Sequence, residues 1–320
     1  MQRTALPYTK LSRRIAATLA LAPLLLLLLG GCGPAARGGE ASGLMRAVTT
    51  IAQIGDAVRV VGGEHVEVIA LMGAGVDPHL YKASEGDVID LIDADIIFYN
   101  GLHLEGKMGE VLERIAEDRP VVAVSDAIPR ERLRQPPEFA GNYDPHVWFD
   151  AGLWRYAVEA VRDGLIAYDP IHAAAYQSNA AAYLMELEAL DIATREQIAT
   201  IPADRRVLVT AHDAFGYFGA AYGIEVVGLQ GISTETESGI GDVRRVAALI
   251  AARGVKAMFV ETSVSPRTVE AVQAAVRDRG GEVRIGGQIY SDAMGDEGTL
   301  EGTYVGMFEA NVGTIVGALR

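Results

Sequence analysis

A single cysteine in 320 residues rules out an intramolecular disulfide and any four-cysteine zinc knuckle. Positive charge is also scarce. Against 42 Asp and Glu the chain sets only 28 Lys and Arg, a formal net charge of −14, and such a chain is a poor partner for phosphate backbones. Nucleic acid is therefore excluded as an expected ligand. The pattern His-Glu-x-x-His, which places two metal ligands and a general base on one helix face, is absent as well. What the chain has in excess is apolar content, 50% of residues, and the surplus is concentrated at one end. The length suits one large domain or two ordinary ones.

Residues 1–31 contain Arg3, Lys10, Arg13 and Arg14, no acidic residue, and an apolar run from Ile15 to Leu29 that includes the leucines Leu24 to Leu29. This reads as an export signal. A basic start stays on the cytoplasmic side, and about 15 apolar residues fall short of the roughly 20 needed for a permanent span. The run ends in Leu29-Gly30-Gly31-Cys32, which resembles a bacterial lipobox, Leu-x-Gly/Ala-Cys. The resemblance implies cleavage before Cys32 and acylation of its thiol. Gly33-Pro34-Ala35-Ala36-Arg37-Gly38-Gly39 then reads as part of a flexible tether over 32–43. After residue 31 the chain retains 24 basic and 42 acidic residues, a net charge of −18.

From Leu44 onward, short β-branched runs alternate with helical stretches, the pattern of an α/β fold with parallel sheets flanked by helices. Strands are expected at Arg46–Ile51, Val66–Leu71, Asp95–Tyr99 and Val121–Val124, and again at Arg206–Thr210, Glu225–Gly228, Ala257–Glu261 and Glu282–Ile285. A helix from Gly241 to Arg253 carries Val243, Val246, Ala247 and Ile250 on one face, which is core spacing. Between the two sets, Asp169-Pro170 predicts a helix start with Asp169 as cap, and no breaker follows until Pro202. A helix of about 30 residues, roughly 45 Å, is longer than a crossover within one sheet requires. The expected organisation is two similar lobes, 44–168 and 202–320, joined by a rigid linker helix over 169–201, with a cleft between the lobes.

Six histidines carry the chemistry: His65, His79, His103, His146, His172 and His212. Two occur in one tripeptide, Asp77-Pro78-His79 and Asp144-Pro145-His146, and His212 precedes Asp213. Each of the three follows an expected strand or turn, where an α/β fold directs side chains into the crevice beyond the strand ends. Proline restricts the backbone before the first two, and neutral imidazole suits zinc, manganese and related divalent ions. His65 reads as a solvated turn residue, His172 as part of the first turn of the long helix, and His103 as a helix-start residue with a lesser alternative of lining a site.

Seven segments, taken in order, resemble the metal-binding solute-binding proteins of manganese and zinc ABC importers, the TroA-like or ZnuA-like (cluster A-I) family. They are Leu71 to Tyr81, Asn100-Gly101-Leu102-His103-Leu104-Glu105, Asp144 to Trp148, Thr210 to Phe218, Gly228 to Thr234, Phe259 to Thr262, and Tyr290 to Gly295. The resemblance implies a metal site in the inter-lobe cleft with His79 and His146 from the first lobe and His212 and Asp292 from the second. Asp292 enters by the resemblance alone. It further implies an exported, membrane-anchored monomer that hands a divalent ion to an ABC permease and its ATPase, with no turnover of its own.

Two other classes compete with this reading. A secreted zinc hydrolase would need an open coordination position and a general base; a surface adhesin has no separate support in the composition. The identity of the ion is divided. The segment Ser125 to Tyr143 lacks the histidines that zinc-specific members commonly carry, which points towards manganese, whereas His212, where many manganese members have glutamate, points towards zinc. Ferrous iron is a third possibility, favoured like manganese if Asp292 binds through both oxygens.

Overall fold

Strand β1 (Met45–Ile51) has every residue buried except the half-buried Arg46, as a strand covered by helices on both faces requires. The computed structural model describes residues 43–139 and 141–320, so the signal segment 1–31, Cys32 and all of the tether but Gly43 lie outside the described residues. Among the described residues no helix is long and apolar enough to cross a membrane. β1 is central in a parallel sheet ordered β2-β1-β3-β4, with β2 at Val66–Met72, β3 at Ile96–Tyr99 and β4 at Val121–Ala123. Helices α1 (Ala52–Gly62), α2 (Glu85–Asp93), α3 (Gly109–Ile115) and α4 (Ala151–Tyr168) flank these strands.

In the second half β5 (Val207–His212) pairs in parallel with β6 (Glu225–Gln230), and β7 (Ala257–Glu261) with β8 (Arg284–Ile289). Because β5 lies beside β7, the order β6-β5-β7-β8 repeats that of the first half. Helices α6 (Gly216–Tyr222), α7 (Ile240–Arg253) and α8 (Arg267–Asp278) fill the connections. The expected strands coincide with these to within about two residues, except the last. β8 starts at Arg284 and runs on through Gly286 and Gly287 to Ile289, four residues beyond the expected end at Ile285. The register slips there, with Met258 opposite Ile285 but Phe259 opposite Gly287, so the glycines form a bulge rather than an end.

The long helix α5 (Ala173–Ala199) has 27 residues and a length of about 40 Å. Tyr176, Ala180, Tyr183, Leu187, Leu190, Thr194 and Ile198 form its buried stripe, which packs on α1, α4 and the last helix α9 (Tyr304–Leu319). Its start differs from the expectation. A 3-10 turn over Pro170–His172 comes first, and Asp169 caps no backbone group. Its Oδ2 instead accepts from Tyr176 Oη at 2.7 Å and meets His172 Nδ1 at 2.6 Å. His65, expected as a solvated turn residue, is half-buried and stacks on His172 with ring centroids 3.9 Å apart.

α9 returns to the first half and closes the structure. At its start Tyr304 N donates to Asp56 of α1 (3.1 Å), and the same carboxylate oxygen accepts from Tyr183 Oη of α5 (3.0 Å). Burial pushes the Asp56 pKa up. The main apolar core is thereby continuous from β1 to α9, and a smaller one lies among β5, β7, α7 and α8. Packing is close where α4 crosses β3. A Cβ on Gly164 would sit 2.8 Å from the Phe98 ring, so Gly164→Ala is expected to cost about 1–3 kcal/mol through overpacking. Urea unfolding measures this; an unchanged midpoint would mean that α4 shifts freely.

Candidate metal centre

The ends of strands from both halves meet at one buried point. His79 lies in the loop after β2, His146 just before the 3-10 turn Val147–Phe149, His212 at the last residue of β5, and Asp292 just beyond β8. Their relative exposures are 3%, 0%, 0% and 2%. One donor atom from each lies within 4.8 Å of all the others. His146 Nε2 stands 3.3 Å from His79 Nε2 and 3.3 Å from Asp292 Oδ1; Asp292 Oδ2 is 3.2 Å from His212 Nε2 and 4.0 Å from His79 Nε2. A tetrahedral ion with bonds of about 2.1 Å has donor–donor edges of about 3.4 Å, so the spacing fits one ion.

The orientation of the groups supports the same fit. His212 Nε2 and both oxygens of Asp292 are buried with no hydrogen-bond partner, despite being so close to one another. Groups at 3.2–3.3 Å that do not hydrogen-bond are aimed at a common point rather than at each other. Buried polar atoms in that state are costly unless something else occupies the point.

The repeated tripeptide has a shared local geometry. Asp77 Oδ1 accepts from His79 N at 2.9 Å, and Asp144 Oδ1 from His146 N at 3.0 Å, so each aspartate closes a turn across the proline and presents the histidine. Asp144 Oδ1 also contacts His146 Nδ1 at 2.8 Å. At His212, Glu261 of β7 holds both the backbone N–H (2.9 Å) and ring Nδ1 (2.5 Å). These contacts leave Nε2 of both rings for the shared point. The main chain around Asp292 is held from the other half: Gln53 Nε2 donates to Asp292 O and Trp148 Nε1 to Ser291 O, each at 3.1 Å. Gln53 carries no sequence signal; Glu261 and Trp148 lie within the segments that resemble the family but have no role assigned there, whereas the aspartates stand out through the repeat.

Charge is divided unevenly among the three rings. Burial drives the His79 pKa down to about 3, with His146 and His212 adding to the effect against the pull of Asp292. For His146 burial acts in the same direction, but the carboxylates of Asp144 and Asp292 outweigh it and raise the pKa to about 9. His212 is raised well above its ordinary value, burial being overcome by Asp292 and Glu261. Asp292 is held well below the usual carboxylate range by His212 and His146, again against burial. The raised pKa of His146 and His212 and the lowered pKa of Asp292 reflect one mutual attraction across the cluster.

The other histidines lie elsewhere. His65 and His172 form the stacked pair at the start of α5. His103 starts no helix: it is exposed, with φ of 64°, in a turn that ends before α3 begins at Gly109. Glu105 two residues on takes up the backbone donors of that turn, which accounts for the conformation.

Two parallel-sheet lobes braced by one long helix, with a buried imidazole and carboxylate cluster where they meet, define a helix-braced metal-ion-binding protein. The chain belongs to the family described as zinc-uptake complex component A, periplasmic (ZnuA), whose model matches residues 47–318. It is 49% identical over 292 residues to the manganese-binding lipoprotein MntA of Bacillus subtilis (strain 168), covering 91% of this chain and 95% of that protein. It is 50% identical over 279 residues to the zinc-binding protein TroA of Treponema pallidum (strain Nichols), covering 87% and 90%. The solved structure of the periplasmic zinc-binding protein TroA from Treponema pallidum superposes with a TM-score of 0.85, covering 87% of this chain and 100% of that one.

Glu261→Gln is expected to weaken metal binding about 10- to 100-fold, because it loosens the grip on the His212 ring without removing a donor; competition against a chelator reads the change. Binding should also release protons. The neighbouring carboxylates raise the pKa of His146 and His212 and so favour protonated rings in the metal-free protein, and a protonated ring must lose its proton to bind an ion. Affinity then falls as pH falls from about 9. Calorimetry in two buffers of different ionisation enthalpy counts the protons; a heat independent of buffer would contradict the assignment.

Proposed function

We propose that the chain is an exported binding protein that captures one divalent transition-metal ion and delivers it to a membrane permease driven by an ATPase. The observation that carries this reading is the unpartnered carboxylate of Asp292, facing His79, His146 and His212 inside the protein. Three imidazoles and one carboxylate leave a net single positive charge on a bound divalent ion and surround it with donors from the chain. A catalytic zinc keeps a position for water. A filled shell favours capture over hydrolysis.

The cargo we infer is manganese or zinc. Three nitrogens suit zinc, and both Asp292 oxygens turned inwards offer a fifth donor that suits manganese or ferrous iron. The names of the relatives, one manganese-binding and one zinc-binding, support the same pair. In this reading residues 1–31 are the export signal, acylated Cys32 is the membrane anchor, and 32–43 is the tether. The lobes 44–168 and 202–320 hold the ion between them about the helix 169–201. That helix limits hinge opening, so loading and release proceed through small local rearrangements, and the protein works as a monomer.

Titration of metal-free protein with zinc and with manganese, beside a panel of hydrolase substrates, tests the reading. One tightly held ion per chain and no turnover is the expected result. Turnover without a tightly held ion would overturn it.

A further inference from the structure

The chain leaves β3 in an unusual conformation. After Asn100, three residues in succession have positive φ: Gly101 at 84°, Leu102 at 53° and His103 at 64°. Leu102 and His103 are the two non-glycine residues in this region of φ among the described residues, and each carries a steric penalty that glycine avoids. Such strain persists only where the surroundings impose it. Glu105 is what imposes it here. Buried at 4% exposure, its carboxylate accepts from Thr50 Oγ1 (2.7 Å), Asn100 N (2.7 Å) and Gly101 N (3.2 Å).

The held turn aims one side chain. Asn100 is fully buried, its carbonyl accepts from Ser125 Oγ at 2.5 Å, and its amide Nδ2 donates to Gly101 O (3.1 Å) and to Pro145 O (3.0 Å). Its Oδ1 has no partner, so the amide is placed for its donors. Pro145 O belongs to the peptide whose N–H is that of His146, and that N–H is held by Asp144. The His146 peptide is therefore gripped on both edges, by Asn100 on the carbonyl side and Asp144 on the amide side. A peptide fixed in this way sets the direction of the His146 side chain.

We propose that Asn100 and Glu105 are positioning residues for His146: Glu105 holds the left-handed turn, and Asn100 transmits it through the Pro145 carbonyl to the metal centre. This rests on the metal-capture reading above. A turn required only to connect β3 to α3 could use glycine and would need neither a buried carboxylate nor an amide pointed at Pro145. The proposal gives Asn100-Gly101-Leu102-His103-Leu104-Glu105 a role through its first and last residues, not through its exposed histidine.

Cobalt(II) provides the test, because its visible d–d bands report coordination geometry independently of stability. Asn100→Ala is expected to lower chelator-competed affinity about tenfold and to change the intensity of the cobalt bands. Glu105→Ala should do the same, whereas Glu105→Gln, which keeps an acceptor for the turn, should restore most of both signals. Asn100→Asp keeps the shape but loses the donor to Pro145, and serves if Asn100→Ala does not fold. A folded Asn100 variant with wild-type bands and affinity, showing only a lower melting temperature, would overturn the positioning role alone. Wild-type protein with no cobalt bands would overturn the metal centre, and the positioning with it.

Discussion

Taking a carboxylate out of water with no hydrogen bond to either oxygen costs several kcal/mol, and Asp292 is kept in that state beyond the end of β8. Its charge has to be met. His146 and His212, whose pKa values the neighbouring carboxylates raise, face it from 3.3 and 3.2 Å. The surrounding structure can be understood from this requirement. Asp144 and Glu261 orient two of the rings, while Gln53 and Trp148 hold the main chain around Asp292 from the opposite half. The cluster exists only while the two halves are docked. Other bonds across the junction are of the same kind: Thr234 Oγ1 donates to Asp77 at 2.6 Å, and Tyr217 Oη to the carbonyl of Asp144 at 3.0 Å.

Each half uses a buried glutamate beside its central strands, in different ways. Each has the same strand order, and each has a buried glutamate near the end of its middle pair of strands. In the second half Glu261 reaches across to His212 at the end of β5. In the first, Glu105 reaches across to Thr50 at the end of β1 and to the turn behind Asn100. Glu261 fixes the His212 ring directly; Glu105 fixes the turn from which Asn100 donates to the carbonyl before His146. The long α5 and the returning α9 keep the halves in register, so the donors are presented on a preformed frame.

Strand positions were legible because short runs rich in β-branched and apolar residues recur between helical stretches, as in residues 207–211 and Ile96–Tyr99. β8 was less so: it runs past the expected end at Ile285 through Gly286 and Gly287, where the register slips against Met258 and Phe259. His79, His146 and His212 were legible from scarcity, from a repeated tripeptide and from placement after strands. Asp292 is one carboxylate among 42 acidic residues, and only the family resemblance marked it. Gln53 was invisible, and the roles of Glu261 and Trp148 within their segments were hidden, because their partners are distant in sequence. His65 and His103 misled for opposite reasons: a stacking partner more than a hundred residues away, and a turn whose conformation is set by a buried carboxylate two residues later.

X-ray absorption at the metal edge of the zinc-loaded protein measures the centre most directly. Multiple scattering from three imidazoles, with carboxylate oxygen in a shell at about 2.0–2.2 Å, is the result expected for a buried site between the lobes. A shell dominated by water oxygens, with one imidazole or none, would contradict it.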